Sequence, residues 1–134
     1  MIKKRNQLIV GSGFIARKFR KYSNFLKKKD VVVYAAGISN STEKNMRNLN
    51  KEVTSMKKFL SFNKKKLIYI SSYSVCDSLR SKNKYVKNKI KIEKLIESSV
   101  SEYIILRLPE SVVFSKNPYT LTNFFSNMIL KGKS

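Results

Sequence analysis

The chain has 134 residues, contains no histidine and has Cys76 as its single cysteine. This length predicts one domain with a real core, but not two lobes. The missing histidine excludes Ser-His triads, imidazole general bases and histidine metal sites, and one cysteine excludes an internal disulfide. Any catalytic chemistry must therefore use Tyr, Lys, Ser or the few carboxylates.

The net charge is +21, from 29 Lys and Arg against 8 Asp and Glu. One interpretation is a polyanionic partner such as nucleic acid, attracted by a field that salt would screen. The other is that lysine simply fills solvated positions. The basic residues are spread over every segment, including 27–29 and 64–66, which favours the second interpretation.

No apolar run approaches the about 18 residues that a membrane-spanning helix needs. The basic start at 1–5 is followed by an apolar stretch, Leu8 to Val10, that is too short for a signal peptide. We therefore expect a soluble, cytoplasmic protein.

Apolar periodicity along the chain alternates between strand and helix patterns, in spacings typical of βαβ units. This predicts an α/β fold: a doubly wound, parallel, Rossmann-like sheet of about four strands with helices on both faces, in a single domain over 1–134. Consecutive right-handed crossovers would bring a ligand crevice to the carboxyl ends of the strands. The predicted strands cover 7–10, 31–35, 67–71 and 103–107, and the predicted helices cover 14–27, 42–62 with Thr42 as N-cap, 85–98, and 117 to about 130.

The first strand runs into a G-x-G-x-x-A turn, with glycines at Gly11 and Gly13 and the alanine at Ala16. In such a turn the first glycine permits the tight bend, the second lets backbone approach a pyrophosphate, and the alanine permits close packing of helix on strand. The alternative is a glycine-rich turn that binds no ligand.

The acidic residue that usually follows the glycine turn by about 20 residues and selects NAD is missing, since Asp30 precedes the second strand. The bases Arg17, Lys18 and Arg20 near the turn would suit a 2′-phosphate instead. The choice between NAD and NADP therefore stays open.

Tyr85 and Lys89 stand at i,i+4 on a predicted helix, downstream of a strand that ends in Ser71 and Ser72. Both side chains would leave the same helix face, where the lysine charge favours an ionised phenol. With a serine hydroxyl beside them they would form an acid/base site for alcohol-to-carbonyl chemistry. The alternative is a solvated helix face in a chain where lysine is common.

Five motifs occur in an order that resembles the extended short-chain dehydrogenase/reductases, the NAD-dependent epimerase/dehydratase proteins that act largely on nucleotide sugars. The resemblance covers about residues 7–125. The motifs are Gly-x-Gly-Phe-Ile-Ala, Val-Val-Val-Tyr-Ala-Ala-Gly, Ile-Tyr-Ile-Ser-Ser-Tyr-Ser-Val, Tyr-x-x-x-Lys-x-x-x-Glu and Ile-Leu-Arg-Leu-Pro.

The resemblance implies a catalytic set of Ser72, Tyr85 and Lys89. Tyr85 would be the general acid/base, Lys89 would lower its pKa and bind ribose hydroxyls, and Ser72 would hydrogen-bond the substrate oxygen. Glu93 would have a structural role. The residues that the resemblance places along NAD or NADP, besides Tyr85 and Lys89, are Gly11, Ser12, Gly13, Phe14, Ile15, Ala35, Ala36, Gly37 and Pro109.

The family carries two further βα units before the Ala-Ala-Gly strand, which hold the adenosine half of the cofactor and are absent here. It also has a C-terminal region that holds the nucleotide sugar, and this chain stops at Ser134. Three interpretations follow: a compact or truncated oxidoreductase or epimerase, a non-catalytic remnant that binds a nucleotide or a polyanion, or a part completed by another subunit or a longer product. The resemblance also implies a homodimer through the helix that carries Tyr85.

Overall fold

The computed structural model describes residues 7–38 and 43–109. Strands and helices alternate through these residues as the sequence predicts. The strands are β1 (Ile9–Val10), β2 (Val31–Tyr34), β3 (Lys66–Ser72) and β4 (Tyr103–Leu108), and the helices are α1 (Phe14–Phe19), α2 (Ser23–Lys29), α3 (Met46–Phe62) and α4 (Lys84–Ser99).

The described strands form one four-stranded parallel sheet in the order β1-β2-β3-β4. The register pairs Val33 of β2 with Ile9 of β1 on one side and with Ile68 of β3 on the other. The predicted parallel α/β sheet with helices on both faces is therefore confirmed, and it is consistent with a Rossmann-like fold.

The two faces of the sheet build separate cores, because successive side chains of a strand point to opposite faces. Val33 and Ile68 pack with Phe19 and Leu26 of α1 and α2. Their strand neighbours Val32 and Leu67 pack instead under α3 and α4. The second core is completed by Tyr34, Val53, Met56, Phe59, Tyr69, Ile92 and Ile96.

The strand order and the helix positions together constrain the handedness of the crossovers. All three crossovers step in the same direction across the sheet, yet α1 and α2 cover one face while α3 and α4 cover the other. Two crossovers that step the same way over opposite faces have opposite hands. Since right-handed crossovers are the strong rule, we infer that β1 to β2 is the left-handed one. The prediction that all crossovers are right-handed is therefore wrong.

Local signals explain the helix boundaries. The predicted first helix is divided by a 3₁₀ turn, Arg20–Tyr22. Helix α2 ends at Lys29, and its C-cap Asp30 adopts φ 56° and donates its N–H to the last turn of α2. Asn45 caps α3 by accepting from the N–H of Arg47, so α3 begins at Met46. The predicted cap Thr42 and the predicted helix over 117–130 lie outside the described residues.

Candidate functional site

A cleft of about 340 Å³ opens at the carboxyl ends of β1, β2 and β3. This is the end of a parallel sheet where ligands of α/β proteins bind, and the volume lies at the lower end of the range for small-molecule sites. The lining residues are Gly11, Ser12, Gly13, Phe14, Ile15, Ala35, Ala36, Gly37, Ile38, Ile70, Ser71, Ser72, Tyr85, Lys89 and Leu108.

The cleft brings together every residue that the resemblance assigned to catalysis or to the cofactor, with the exception of Pro109. The candidate 2′-phosphate bases Arg17, Lys18 and Arg20 do not line it. Pro109 is exposed, and the buried Leu108 before it lines the cleft in its place. Sequence reasoning missed the contributions of Ile38, Ile70 and Leu108. The only sequence signal for these apolar residues is that they lie at, or just after, the ends of predicted strands.

The glycine turn packs directly against the end of β2. Gly11 adopts φ 121°, and a Cβ added there would lie 2.5 Å from the carbonyl oxygen of Ala35. Only glycine meets both demands. A Cβ at Gly13 would meet nothing within 4 Å, so the space above this residue is open. Backbone is therefore accessible at the turn, as close approach of a ligand requires.

Tyr85 and Lys89 lie on the inner side of α4. Asn83 caps this helix, and its Oδ1 accepts from the N–H groups of Tyr85 and Val86. Tyr85 is 5% exposed and Lys89 is 3% exposed, with the Lys89 Nζ 5.3 Å from the centroid of the Tyr85 ring. The alternative of a solvated helix face is therefore wrong for this pair.

Glu52 of α3 is the principal residue of this region that sequence reasoning missed. Its Oε1 accepts from Lys89 Nζ at 2.9 Å, and its Oε2 accepts from the backbone N–H of Ile38 at 2.8 Å. A signal was available in the sequence. Glu52 stands within the apolar stripe of α3, between Leu49 and Met56, where an acidic residue must find a partner.

Burial governs the ionisation of Lys89 and of two nearby tyrosines. Desolvation lowers the pKa of Lys89 below its ordinary 10.5, and the charge and hydrogen bond of Glu52 oppose this change. Burial, with the Glu52 charge as the second cause, raises the pKa of Tyr34 to about 12 and raises that of Tyr69 well above its usual range. The Tyr69 hydroxyl is also buried with no hydrogen-bond partner among the described residues.

The two serines at the end of β3 have different partners. The Ser71 hydroxyl donates to Glu93 Oε1 at 2.7 Å. The Ser72 hydroxyl lies 2.7 Å from that of Ser74 and accepts from the Ser74 N–H at 3.2 Å. Ser71 is therefore committed to the carboxylate, while Ser72 sits in a hydroxyl pair at the cleft wall.

Glu93 and Arg107 form a second ion pair, which ties α4 to β4. Arg107 donates from Nε to Oε1 at 3.1 Å and from Nη2 to Oε2 at 2.7 Å, a two-pronged geometry. Neither side chain lines the cleft. These contacts support the structural role expected for Glu93.

Among residues 7–38 and 43–109, no cluster of three His, Cys, Asp or Glu side chains could hold a metal ion. No helix in these same ranges is long and apolar enough to cross a membrane. Comparison of the whole chain with protein-family models, with curated proteins and with solved structures found no match.

Proposed function

We propose that the chain binds NAD or NADP in the cleft and is an oxidoreductase or epimerase of the short-chain dehydrogenase/reductase type, acting on a nucleotide sugar. One observation carries the proposal. Residues from four separate segments, chosen from sequence motifs alone, line a single cleft at the expected end of the sheet.

The residues of the cleft fit such a cofactor. The open backbone at Gly13 suits a pyrophosphate, and the small residues Ala35 to Gly37 leave room for a ribose. Lys89 presents an ammonium at the same wall, where it can donate to ribose hydroxyls. On the other side of β1, no further strand pairs with it among the described residues. The described cleft therefore suits the nicotinamide half of the cofactor better than the adenosine half.

The nicotinamide ring would supply the hydride acceptor and donor. Tyr85 would take the proton of the sugar hydroxyl as the carbonyl forms and would return it in the reverse direction. Ser72, whose hydroxyl oxygen lies 2.7 Å from that of Ser74, would hydrogen-bond the same oxygen. Lys89, whose Nζ lies 5.3 Å from the centroid of the Tyr85 ring, would stabilise the phenolate form of Tyr85.

Isothermal titration with NADH and with NADPH tests this proposal. We expect binding in the millimolar range or tighter for at least one of them. Tyr85→Phe should keep that binding and abolish turnover of nucleotide sugars, because it removes only the proton carrier. Lys91→Met, a change on the exposed face of the same helix, is the control. Failure of both cofactors to bind at millimolar concentration would refute the proposal.

A second candidate function is polyanion binding, and one observation favours it. The outer face of α4 carries four exposed lysines at helical spacing, and none of them pairs with a carboxylate among the described residues. These residues, here called the α4 lysine stripe, are Lys84, Lys87, Lys91 and Lys94. The spacing of these four lysines within one helix thus places them in a row that suits a phosphate backbone.

Salt-dependent binding of a fluorescent oligonucleotide distinguishes this candidate. Replacing the α4 lysine stripe by glutamine should lower the salt slope of log Kd by about three to four, since each lost phosphate contact removes about 0.9. The matched control replaces four exposed lysines on the opposite face of the sheet and removes the same charge. An equal effect of both variants would show that net charge, not the stripe, drives binding. The control residues are Lys21, Lys27, Lys28 and Lys29.

The stripe also bears on the homodimer, which stays a prediction. A dimer that paired through the outer face of α4 would bring two cationic rows together. We therefore expect a monomer at low salt, with association favoured only when salt screens the charges. A cytoplasmic location likewise belongs to this proposal.

A further inference from the structure

The Lys89–Glu52 pair is the most deeply buried charged group at the cleft. Its side chains are 3% and 4% exposed, and the lysine lines the cleft while Glu52 stands behind it. The backbone N–H of Ile38, a cleft residue, holds the second oxygen of Glu52. Glu52 therefore joins α3 to the end of β2 and to α4 at one point.

The geometry leaves donors of Lys89 available to a ligand. An ammonium group has three N–H donors, and the described contacts engage one of them with Glu52. The other groups that face Lys89 are the ring of Tyr69 from β3, at 5.9 Å, and the ring of Tyr85 and the carboxylate of Glu93 from its own helix. Among residues 7–38 and 43–109, Glu52 is the anion that contacts the ammonium directly.

Gly37 shows how closely this pair is built into the wall. A Cβ at Gly37 would lie 2.6 Å from Lys89 Nζ and 3.5 Å from Glu52 Oε1. The glycine lets the β2 end pass directly over the ion pair. A side chain at position 37 would therefore displace the Lys89 ammonium or the backbone beside it.

We propose that Glu52 is a positioning residue of the cleft: it keeps Lys89 protonated and fixes the direction of its remaining N–H donors. The inference rests on the proposed function for the identity of the ligand, but the coupling between the two residues stands without it. A buried lysine without a counterion loses its proton easily, and a neutral amine is a weaker donor to ribose hydroxyls.

The first arm of the test uses the ligand-free protein. The Cε signal of Lys89, assigned by its loss in Lys89→Met, is followed by NMR against pH in wild type and in Glu52→Gln. We expect Lys89 to titrate at lower pH in the variant. Glu97→Gln, an exposed change of the same charge on α4, should leave the titration where it was. If Glu52→Gln does not fold, Glu52→Asp serves, because its shorter side chain weakens the contact and should also lower the titration.

The second arm measures NADH affinity against pH. In Glu52→Gln we expect binding to weaken by about tenfold to a hundredfold above the pH at which Lys89 loses its proton, the effect of losing one charged donor. Below that pH the affinity should recover towards that of wild type. If Glu52 had only a structural role, its replacement by Gln would instead weaken NADH binding equally at every pH.

The outcomes separate this inference from the proposed function. If Lys89 titrates at the same pH in Glu52→Gln and in Glu52→Asp as in wild type, the inference is overturned, whatever the NADH affinity. A shifted titration together with no NADH binding to wild type upholds the coupling and refutes the cofactor proposal. A pH-independent loss of affinity also overturns the positioning role.

Discussion

Two carboxylates on the same side of the sheet, Glu52 of α3 and Glu93 of α4, are both buried and both paired with a base. Glu93 accepts hydrogen bonds from the Ser71 hydroxyl and from Arg107, whose side chain is 41% exposed. Both of these partners lie on the sheet, so the contacts connect α4 to it. Glu52 holds Lys89, which is 3% exposed and lines the cleft.

The difference in exposure between Arg107 and Lys89 separates two roles for a buried carboxylate. A guanidinium that reaches solvent keeps part of its hydration, and its fork fits the carboxylate. An ammonium held almost without water is costly for a fold to keep, and here it lies at the wall of the cleft. Under the proposed function, the Glu93–Arg107 pair stabilises the fold, and the Glu52–Lys89 pair belongs to the candidate site.

The largest effect should come from breaking the buried pair. Lys89→Met leaves the Glu52 carboxylate buried without a counterion, and we expect the free energy of unfolding to fall by about 3–5 kcal/mol. Adding Glu52→Leu to this variant should restore most of the loss. Urea denaturation measures both, with Lys91→Met as the solvent-exposed control. If the single variant lost less than about 1 kcal/mol, the pair would not be as dehydrated as described.

The pH dependence of stability in Lys89→Met gives a second test of the buried pair. The folded-state pKa of Lys89 is lowered from 10.5, so between that lowered value and 10.5 the unfolded chain binds a proton that the folded chain has released. The unfolding free energy of wild type, relative to Lys89→Met, should therefore rise with pH in this window and be flat below it. A relative stability that falls as pH rises would contradict the direction of the shift.

Two glycine substitutions at the cleft should separate fold from ligand. Gly37→Ala places a methyl group 2.6 Å from Lys89 Nζ, and we expect a loss of about 1–3 kcal/mol as the ion pair is displaced. Gly13→Ala meets nothing within 4 Å and should leave stability nearly unchanged, yet weaken NADH binding by intruding on the turn. Thermal unfolding and titration of both variants measure the contrast. If the two variants lost the same stability and the same NADH affinity, the two glycines could not be assigned separate roles.

Arg107→Met should cost less than Lys89→Met. Glu93 keeps the Ser71 hydroxyl and gains access to water where the guanidinium stood, so we expect a loss of about 1–2 kcal/mol. NADH affinity should not change, since Arg107 does not line the cleft. A loss of cofactor binding at unchanged stability would place this pair in the site as well.

Tyr69→Phe should have the smallest effect, with a favourable sign. The Tyr69 hydroxyl is buried with no partner in the described part of the chain, so its removal should leave stability unchanged or raise it by about 1 kcal/mol. A clear loss of stability in urea denaturation would contradict the description of this hydroxyl as unpaired among the described residues.

Much of this arrangement could be predicted from residue patterns. Strand ends rich in glycine and serine, such as Gly11 and Ser72, mark the ligand edge of a parallel sheet, and the i,i+4 spacing placed Tyr85 and Lys89 on one helix face. Patterns at short range could not reveal the Glu52 contact, because Glu52 and Lys89 are separated by 37 residues and meet only when α3 and α4 pack together. Handedness was missed for the same reason, since periodicity carries no information on which face a helix covers.

The most direct test of the central claim is NMR mapping of NADH on the protein labelled with ¹⁵N. Three of the four glycines of the chain line the cleft. Addition of NADH should shift the amide signals of Gly11, Gly13 and Gly37, with little change along the α4 lysine stripe. Shifts confined to the stripe, or no shift at millimolar NADH, would contradict a nicotinamide-nucleotide site in the cleft.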